Sequence, residues 1–148
     1  MITRRYFVCA AAATLALGTF GRTGAQQAQS LDVYKNPACG CCGEWVKHMR
    51  ANGFRVETHE IADVALVRRR YGVPESLASC HTAVVAGYAI EGHVPASDIR
   101  RLLRERPKVR GLAVPGMVPG SPGMVQGPSQ PYATLAFDDR GSRVFGRH

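Results

Sequence analysis

The sequence predicts a mixed α/β domain, because its apolar residues change spacing repeatedly between that of a strand and that of a helix. Two strand–helix units follow one another over residues 31–72, and a short hairpin and one more helix follow up to residue 107. The chain has 148 residues, and the 123 that follow residue 25 suffice for one domain with its own core.

The first strand–helix unit carries most of the cysteines. Residues 31–34 alternate apolar and polar side chains, as a half-buried strand does, and Asn36-Pro37 interrupts the alternation. Over about residues 40–52 the apolar spacing becomes helical, and Gly53 ends the predicted helix. The residues that share its apolar face are Cys42, Trp45, Val46 and Met49.

A second strand–helix unit and a hairpin follow. Residues 54–61 predict a strand, and the next helix begins after the capping residue Asp63 and ends at Gly72. Residues 82–85 and 89–91 predict the two strands of a hairpin, which we expect to turn at Gly87-Tyr88.

The last helix begins at Pro95 or Ser97 and ends at Pro107, and an extension follows from about residue 108. Within it, residues 111–127 (GLAVPGMVPGSPGMVQG) are loop by composition, and residues 132–145 predict a second hairpin. The order βαβα, hairpin, α is that of a thioredoxin-like sandwich. The predicted fold is therefore a thioredoxin-like α/β sandwich over residues 31–148, with a C-terminal Gly/Pro/Met loop and a β-hairpin extension.

The N-terminus predicts an export signal peptide over residues 1–25. It combines a basic start, an apolar run from Tyr6 to about Phe20, and small residues before an expected cleavage after Ala25. The run is shorter than the ~20 residues of a membrane span, so we expect no span after cleavage and a periplasmic protein. Residues 3–7 (TRRYF) also resemble a twin-arginine signal, and both the Sec and the twin-arginine routes stay open.

The net charge gives little indication of a charged partner. The formal charge of +8 falls to +5 when Arg4, Arg5 and Arg22 leave with the signal peptide. The remaining cations are scattered, apart from runs at residues 68–70 and 100–106 on the polar faces of predicted helices. This pattern is typical of a solvated surface, so no nucleic-acid partner is expected.

Three of the five cysteines lie in the stretch ACGCC, residues 38–42, at the predicted start of the first helix. Free N–H groups and the helix dipole stabilise a thiolate there. Cys39 and Cys42 have the C-x-x-C spacing of a thiol–disulfide pair, in which Cys39 would attack and Cys42 would resolve. Cys41 adds a third sulfur that simple dithiol exchange does not need, so a soft metal pocket is the other interpretation.

Three sequence blocks, YKNPACGCCGEWVKHM, SCHTAVVAGYAIEGHVPASDIRRLL and GLAVPGMVPGSPGM, together resemble the exported CopG-like copper-resistance proteins. These are thioredoxin-fold, metal-binding proteins long catalogued as a domain of unknown function. The resemblance runs from about Tyr34 to Met124. It implies copper binding through cysteines, with help from methionine and histidine, and leaves redox chemistry at copper open. It also implies copper ions, one or more, and other periplasmic copper-handling proteins as partners.

Further candidate ligands lie outside the ACGCC stretch. Cys80 occupies the position of the cis-proline that faces C-x-x-C in thioredoxin-like proteins, so we expect a fourth sulfur there. His81 follows it on a strand, and we expect its side chain to point to the other face. His81 and His93 each stand as a ligand or as structural support, and His48, His59 and His148 are assigned to the surface.

Met117 and Met124 lie in a loop that offers no periodic apolar face for them to join. Thioethers together with thiolates favour Cu(I) over harder ions. We therefore expect a periplasmic protein that holds Cu(I) for copper resistance or handling, with a thiol–disulfide oxidoreductase as the alternative and enzymatic turnover left open. The candidate metal ligands are Cys39, Cys41, Cys42, Cys80, Met117, Met124, His93 and His81.

Overall fold

The structure, a computed structural model, describes residues 28–148, so the predicted signal peptide lies outside the described residues. Within this range no helix has both the length and the apolar character that crossing a membrane requires. A 3-10 turn spans Glu75–Leu77. The other elements are β1 (Ser30–Lys35), α1 (Gly40–Ala51), β2 (Arg55–Glu60), α2 (Ala65–Tyr71), β3 (His81–Val85), β4 (Tyr88–Gly92), α3 (Ala96–Glu105), β5 (Gly111–Val114), β6 (Ala133–Asp138) and β7 (Gly141–Arg147).

The strands of the described residues form one seven-stranded sheet in the order β2-β1-β3-β4-β5-β6-β7. β1 runs parallel to β2, and β4 parallel to β5, while the other neighbours are antiparallel. The mixed α/β class is confirmed, as are the two strand–helix units, both hairpins and the last helix of the sequence prediction.

One row of paired apolar residues crosses five strands and forms the centre of the core. Because side chains alternate between the faces of a sheet, this row packs against α1 and α3, whereas the neighbouring rows face α2 and the 3-10 turn. The molecule therefore has helices on both faces of the sheet. The members of the row, all buried, are Val33, Ala83, Ile90, Leu112 and Ala136.

Two local predictions were wrong. Residues 111–114, expected to be loop, form the buried strand β5 between β4 and β6, so the C-terminal extension continues the sheet. The run Gly-Leu-Ala-Val is too short to stand out beside so much glycine and proline. The hairpin turns at Ala86 and Gly87, with φ of 48° and 86°, one residue earlier than expected, because Tyr88 already pairs with Val85.

Residues 115–132 contain neither helix nor strand and pass over the start of α1. A Cβ atom added at Gly123 would lie 2.7 Å from the backbone nitrogen of Trp45 and 3.0 Å from the carbonyl oxygen of Cys41. Only glycine allows this approach, and its φ of 90° also favours glycine. The segment is thereby held directly against the turn of helix that carries the cysteines.

Candidate metal centre

The first turn of α1 is held by Asn36. Its side-chain Oδ1 accepts a hydrogen bond from the backbone of Ala38 at 2.9 Å, and its carbonyl oxygen accepts one from Cys39 at 3.0 Å. Cys39 is thereby the residue that precedes the helix. It forms a disulfide with Cys42, while Cys41 and Cys80 are free thiols.

Cys80 faces this turn from the residue before β3, so four sulfurs meet. Cys41 Sγ lies 3.6 Å from Cys39 Sγ and 4.0 Å from Cys80 Sγ. Cys42 Sγ lies 3.6 Å from the carbonyl oxygen of Cys80. The sulfur atoms of all four cysteines lie within 4.8 Å of one another, which is close enough for one metal centre.

Two histidines extend the cluster on the inner side of Cys80. His93 Nε2 lies 3.1 Å from Cys80 Sγ, and His81 Nδ1 lies 3.5 Å from the same sulfur. The expectation that His81 points away from Cys80 was wrong, because Cys80 precedes β3 and strand alternation does not yet apply there. The His81 ring packs instead on Trp45, with ring centroids 4.4 Å apart.

Burial keeps both imidazoles uncharged. It lowers the pKa of His81 to about 3, and the neighbouring His93 and the positive charge of Lys35 act in the same direction. It also lowers the pKa of His93 to about 4, although a hydrogen bond in which the imidazole donates to the Pro122 carbonyl oxygen acts in the opposite direction. His81 Nε2 is buried without a hydrogen-bond partner among the described residues. A neutral imidazole is the form that binds metals, and a buried nitrogen without a partner is otherwise costly.

The Cys80 thiol is protonated at neutral pH. Burial raises its pKa to about 12, and the nearby Cys41 adds to the effect. A metal ion that bound this sulfur would have to displace the proton, so binding would become tighter as the pH rises.

Met117 and Met124 lie on the outer side, beside Cys41. They line a groove of about 510 Å³ between the start of α1 and residues 123–126. The Met117 side chain is 56% exposed. A larger hollow of about 840 Å³ is lined by Arg100, Arg104 and other residues, none of which is a candidate ligand. We therefore assign no part of the centre to that hollow.

The other three histidines do not join the cysteines, as expected from the sequence, but each is held by a hydrogen bond. His48 Nε2 accepts one from the backbone of Ala96 at 3.4 Å. His59 lies 3.0 Å from Asp32, and His148 lies 2.9 Å from Asp98.

Sequence reasoning missed a buried carboxylate behind Cys80. Glu91 is fully buried, accepts a hydrogen bond from the Ser79 backbone at 2.6 Å, and accepts another from the Thr82 hydroxyl at 2.6 Å. Burial raises the pKa of Glu91 to about 7, although both hydrogen bonds and the charge of Arg68 act against it. The signal in the sequence was a single charged residue in an otherwise apolar hairpin.

Comparisons with known proteins identify similar structures. Form 2 of the copper resistance protein CopG superposes with a TM-score of 0.77 at 46% identity, covering 82% of this chain and 98% of that one. Form 1 of the same protein gives a TM-score of 0.75 at 46% identity and covers 80% and 96%. The family described as a protein of unknown function, DUF411, matches residues 77–124. No curated protein matches the chain.

Proposed function

The chain belongs to the family of the copper resistance protein CopG, and on that premise we propose that it binds copper as Cu(I) for copper resistance or handling. The observation that carries the proposal is the convergence of four sulfurs, with two neutral imidazoles reaching one of them, Cys80. Such donors suit a soft cation, and no carboxylate belongs to the group of four cysteines or to the group of Cys80, His81 and His93.

The proposed ligands fall into three kinds. The thiolates of the four cysteines form the base, the imidazoles of His81 and His93 lie behind Cys80, and the thioethers of Met117 and Met124 close the outer side. The start of α1 stabilises the negative charge of thiolates. Lys35, which pairs with His81 across the sheet and is 8% exposed, adds a positive charge nearby. Bound copper would supply a one-electron redox couple.

The disulfide makes copper binding dependent on redox state. While Cys39 and Cys42 are bonded to each other, neither offers a thiolate, and only Cys41 and Cys80 are free. Two molecules of a thiol reductant supply the two electrons and two protons that convert the disulfide into two thiols, and they are themselves oxidised to a disulfide. This completes the set of four thiols. Oxidation would then remove two ligands and favour release of the metal.

A thiol–disulfide oxidoreductase is the second candidate, and the Cys39–Cys42 disulfide is the observation that favours it. Cys39 is half-buried, whereas Cys42 is fully buried. In this function the Cys39 thiolate would attack a substrate disulfide and release one substrate thiolate. Cys42 would then attack Cys39 Sγ, release the second thiolate and leave the Cys39–Cys42 disulfide.

Export and fold type are further parts of the proposal. The signal peptide predicted over residues 1–25 would deliver the protein to the periplasm, where other copper-handling proteins would be its partners. We interpret the order β2-β1-β3-β4, with α1 and α3 on one face and α2 on the other, as a thioredoxin-like sandwich to which β5–β7 are added.

Elemental analysis of protein purified anaerobically, with and without added copper, tests the function. We expect the reduced wild-type chain to hold copper, and a variant with Ser at Cys39, Cys41, Cys42 and Cys80 to hold none. A reduced wild-type chain without copper would contradict the proposal. The variant Cys41→Ser with Cys80→Ser separates the two candidates, because it should lose copper but keep disulfide exchange with glutathione.

A further inference from the structure

A buried ion pair lies on the face of the sheet opposite α1. Glu91 pairs with Thr82 on one side and Ala113 on the other, in the row that faces α2. Arg68 of α2 reaches it there, with Nε 3.3 Å from Glu91 Oε1, in an ion pair without hydrogen-bond geometry. Because they lie on this opposite face, the side chains of Glu91 and Arg68 are not part of the sulfur cluster.

The strong contacts of the pair converge on the segment around Cys80. Glu91 accepts hydrogen bonds from the Ser79 backbone and the Thr82 hydroxyl, so its two oxygens hold the residues on both sides of Cys80-His81. Arg68 Nη2 donates to the Ser79 carbonyl oxygen at 3.3 Å. Both backbone groups of Ser79 are therefore held by the ion pair.

Ser79 extends this hold to the methionine segment. Its hydroxyl donates to the carbonyl oxygen of Gly116 at 2.5 Å, directly before Met117. A Cβ atom added at Gly92 would lie 2.5 Å from Ser79 Oγ, so the glycine leaves room for this hydroxyl. The contacts thus run from the ion pair through Ser79 to Cys80 on one branch and to Met117 on the other.

We propose that Glu91 and Arg68 are positioning residues, which fix Cys80 and the start of the methionine segment from the far side of the sheet. That this positioning serves copper binding rests on the function proposed above. The contacts that hold Cys80 do not depend on that function. A buried ion pair is weak evidence for stability in itself, because apolar residues of similar volume often replace one without loss. This pair, however, makes its hydrogen bonds to Ser79, directly before Cys80. Its removal should therefore free the Cys80 segment even where the stability of the fold is little changed.

The first test needs no metal and measures the rate at which iodoacetamide alkylates Cys80 and Cys41 in the apo protein, resolved by peptide mass mapping. In Glu91→Leu the Ser79 backbone loses its acceptor, and we expect Cys80 to react about tenfold faster while Cys41 changes by less than about twofold. Glu91→Gln can still accept from Ser79 and donate to Thr82, so it should stay within about twofold of wild type.

The second test measures Cu(I) dissociation into excess chelator for the same variants, with Asp98→Asn as the control. Asp98 is also a buried carboxylate, held by His148 and Arg101 and outside the cysteine cluster. Glu91→Leu should release copper about tenfold faster, whereas Asp98→Asn should lower only the melting temperature.

Folded Glu91→Leu with unchanged Cys80 alkylation and unchanged copper release would overturn the proposal. If that variant does not fold, Arg68→Met decides by the same criteria, since it removes the donor to the Ser79 carbonyl and keeps an apolar stem. A wild-type chain that binds no copper would contradict the proposed function alone, because the alkylation series still decides whether the pair positions Cys80.

Discussion

The inner and outer sides of the candidate centre are built differently. The inner donors, Cys39, Cys42, Cys80, His81 and His93, lie at the start of α1 or beside the ends of β3 and β4, where regular structure holds them. The Trp45 ring packs against the His81 ring, with the two planes tilted by 46°, and Trp45 donates to the Val94 carbonyl oxygen at 2.9 Å, directly after His93. The outer donors, Cys41, Met117 and Met124, line an open groove, and its far wall has no regular structure.

This difference separates two properties of a metal site. Donors held by a helix and a sheet bind without losing much conformational freedom, so they should determine most of the affinity for copper. Met117 and Met124 lie in a segment without helix or strand, so they lose more freedom on binding but reach the open groove, and they should determine how copper enters and leaves. Substitutions on the inner side should therefore change affinity, and those on the outer side should change exchange rates.

The largest effect should come from Cys39→Ser and Cys42→Ser. A hydroxyl is a poor ligand for Cu(I), and each change also prevents the disulfide that the wild type forms. In a competition titration against a chelator, each variant should lose most of its bound Cu(I). Its affinity should fall by more than the ~10–100-fold that is lost when a residue supporting a metal ligand is replaced.

His48→Gln is the matched control for the cysteine variants, because His48 lies on the same helix but outside the sulfur cluster. It should bind copper like wild type. Wild-type affinity and stoichiometry in both cysteine variants would remove the basis for treating the start of α1 as part of a metal site.

Selectivity sharpens the comparison, because both sides offer soft donors. Under reducing conditions the site should prefer Cu(I) to Zn(II), and equimolar zinc should displace less than about a tenth of the copper. The measurement is elemental analysis after equilibrium dialysis against both ions. Replacement of the copper by zinc would mean that the copper assignment has to be abandoned.

The pH dependence should belong to the inner side. The Cys80 thiol, with its pKa raised to about 12, holds its proton at neutral pH and must release it to bind copper. Copper affinity should therefore rise with pH by about tenfold per unit for this one proton and fall correspondingly on acidification. Proton release measured during titration should drop by about one per chain in Cys80→Ser and should not change in Met117→Leu.

The smallest effect should come from the outer side, in Met117→Leu with Met124→Leu. The fold should be kept, because Leu and Met have similar volume and exchange at less than about 1.5 kcal/mol. Copper should still bind, but more weakly or with faster exchange, since thioethers add affinity to a thiolate base.

Met49→Leu is the control for the methionine variants, since Met49 lies on the buried face of α1 and is fully enclosed in the core. It should leave both the affinity and the dissociation rate of copper unchanged. If the double variant behaves in the same way, the methionine segment only covers the centre, and its thioethers are not ligands.

The inner and outer sides also differ in how far the sequence predicted them. The start of α1 was predictable because Cys42, Trp45, Val46 and Met49 follow the helical period, which places the cysteines at the first turn. The strand β5 was not predictable by composition, because four residues with one glycine show no clear period. The contact of His81 with Cys80 depends on where β3 begins. The strand begins at His81, so Cys80 lies outside it and the alternation of side chains that was assumed for the pair does not hold.

The ion pair behind Cys80 was beyond sequence reasoning for a different reason. Glu91 and Arg68 are 23 positions apart and meet only because α2 covers the second face of the sheet. Local periodicity carries no information about such a meeting. A charged residue in a central strand was the available clue, and it indicated burial without naming the partner.

The most direct test of the account is the Cu(I) affinity of the wild-type chain in its two redox states, measured by chelator competition under anaerobic conditions. The reduced chain offers four thiols, and the disulfide form offers two. We predict that the reduced chain binds Cu(I) at least about 100-fold more tightly, a difference of ~2.7 kcal/mol. Equal affinities in the two states, or a reduced chain that binds no Cu(I), would contradict the account.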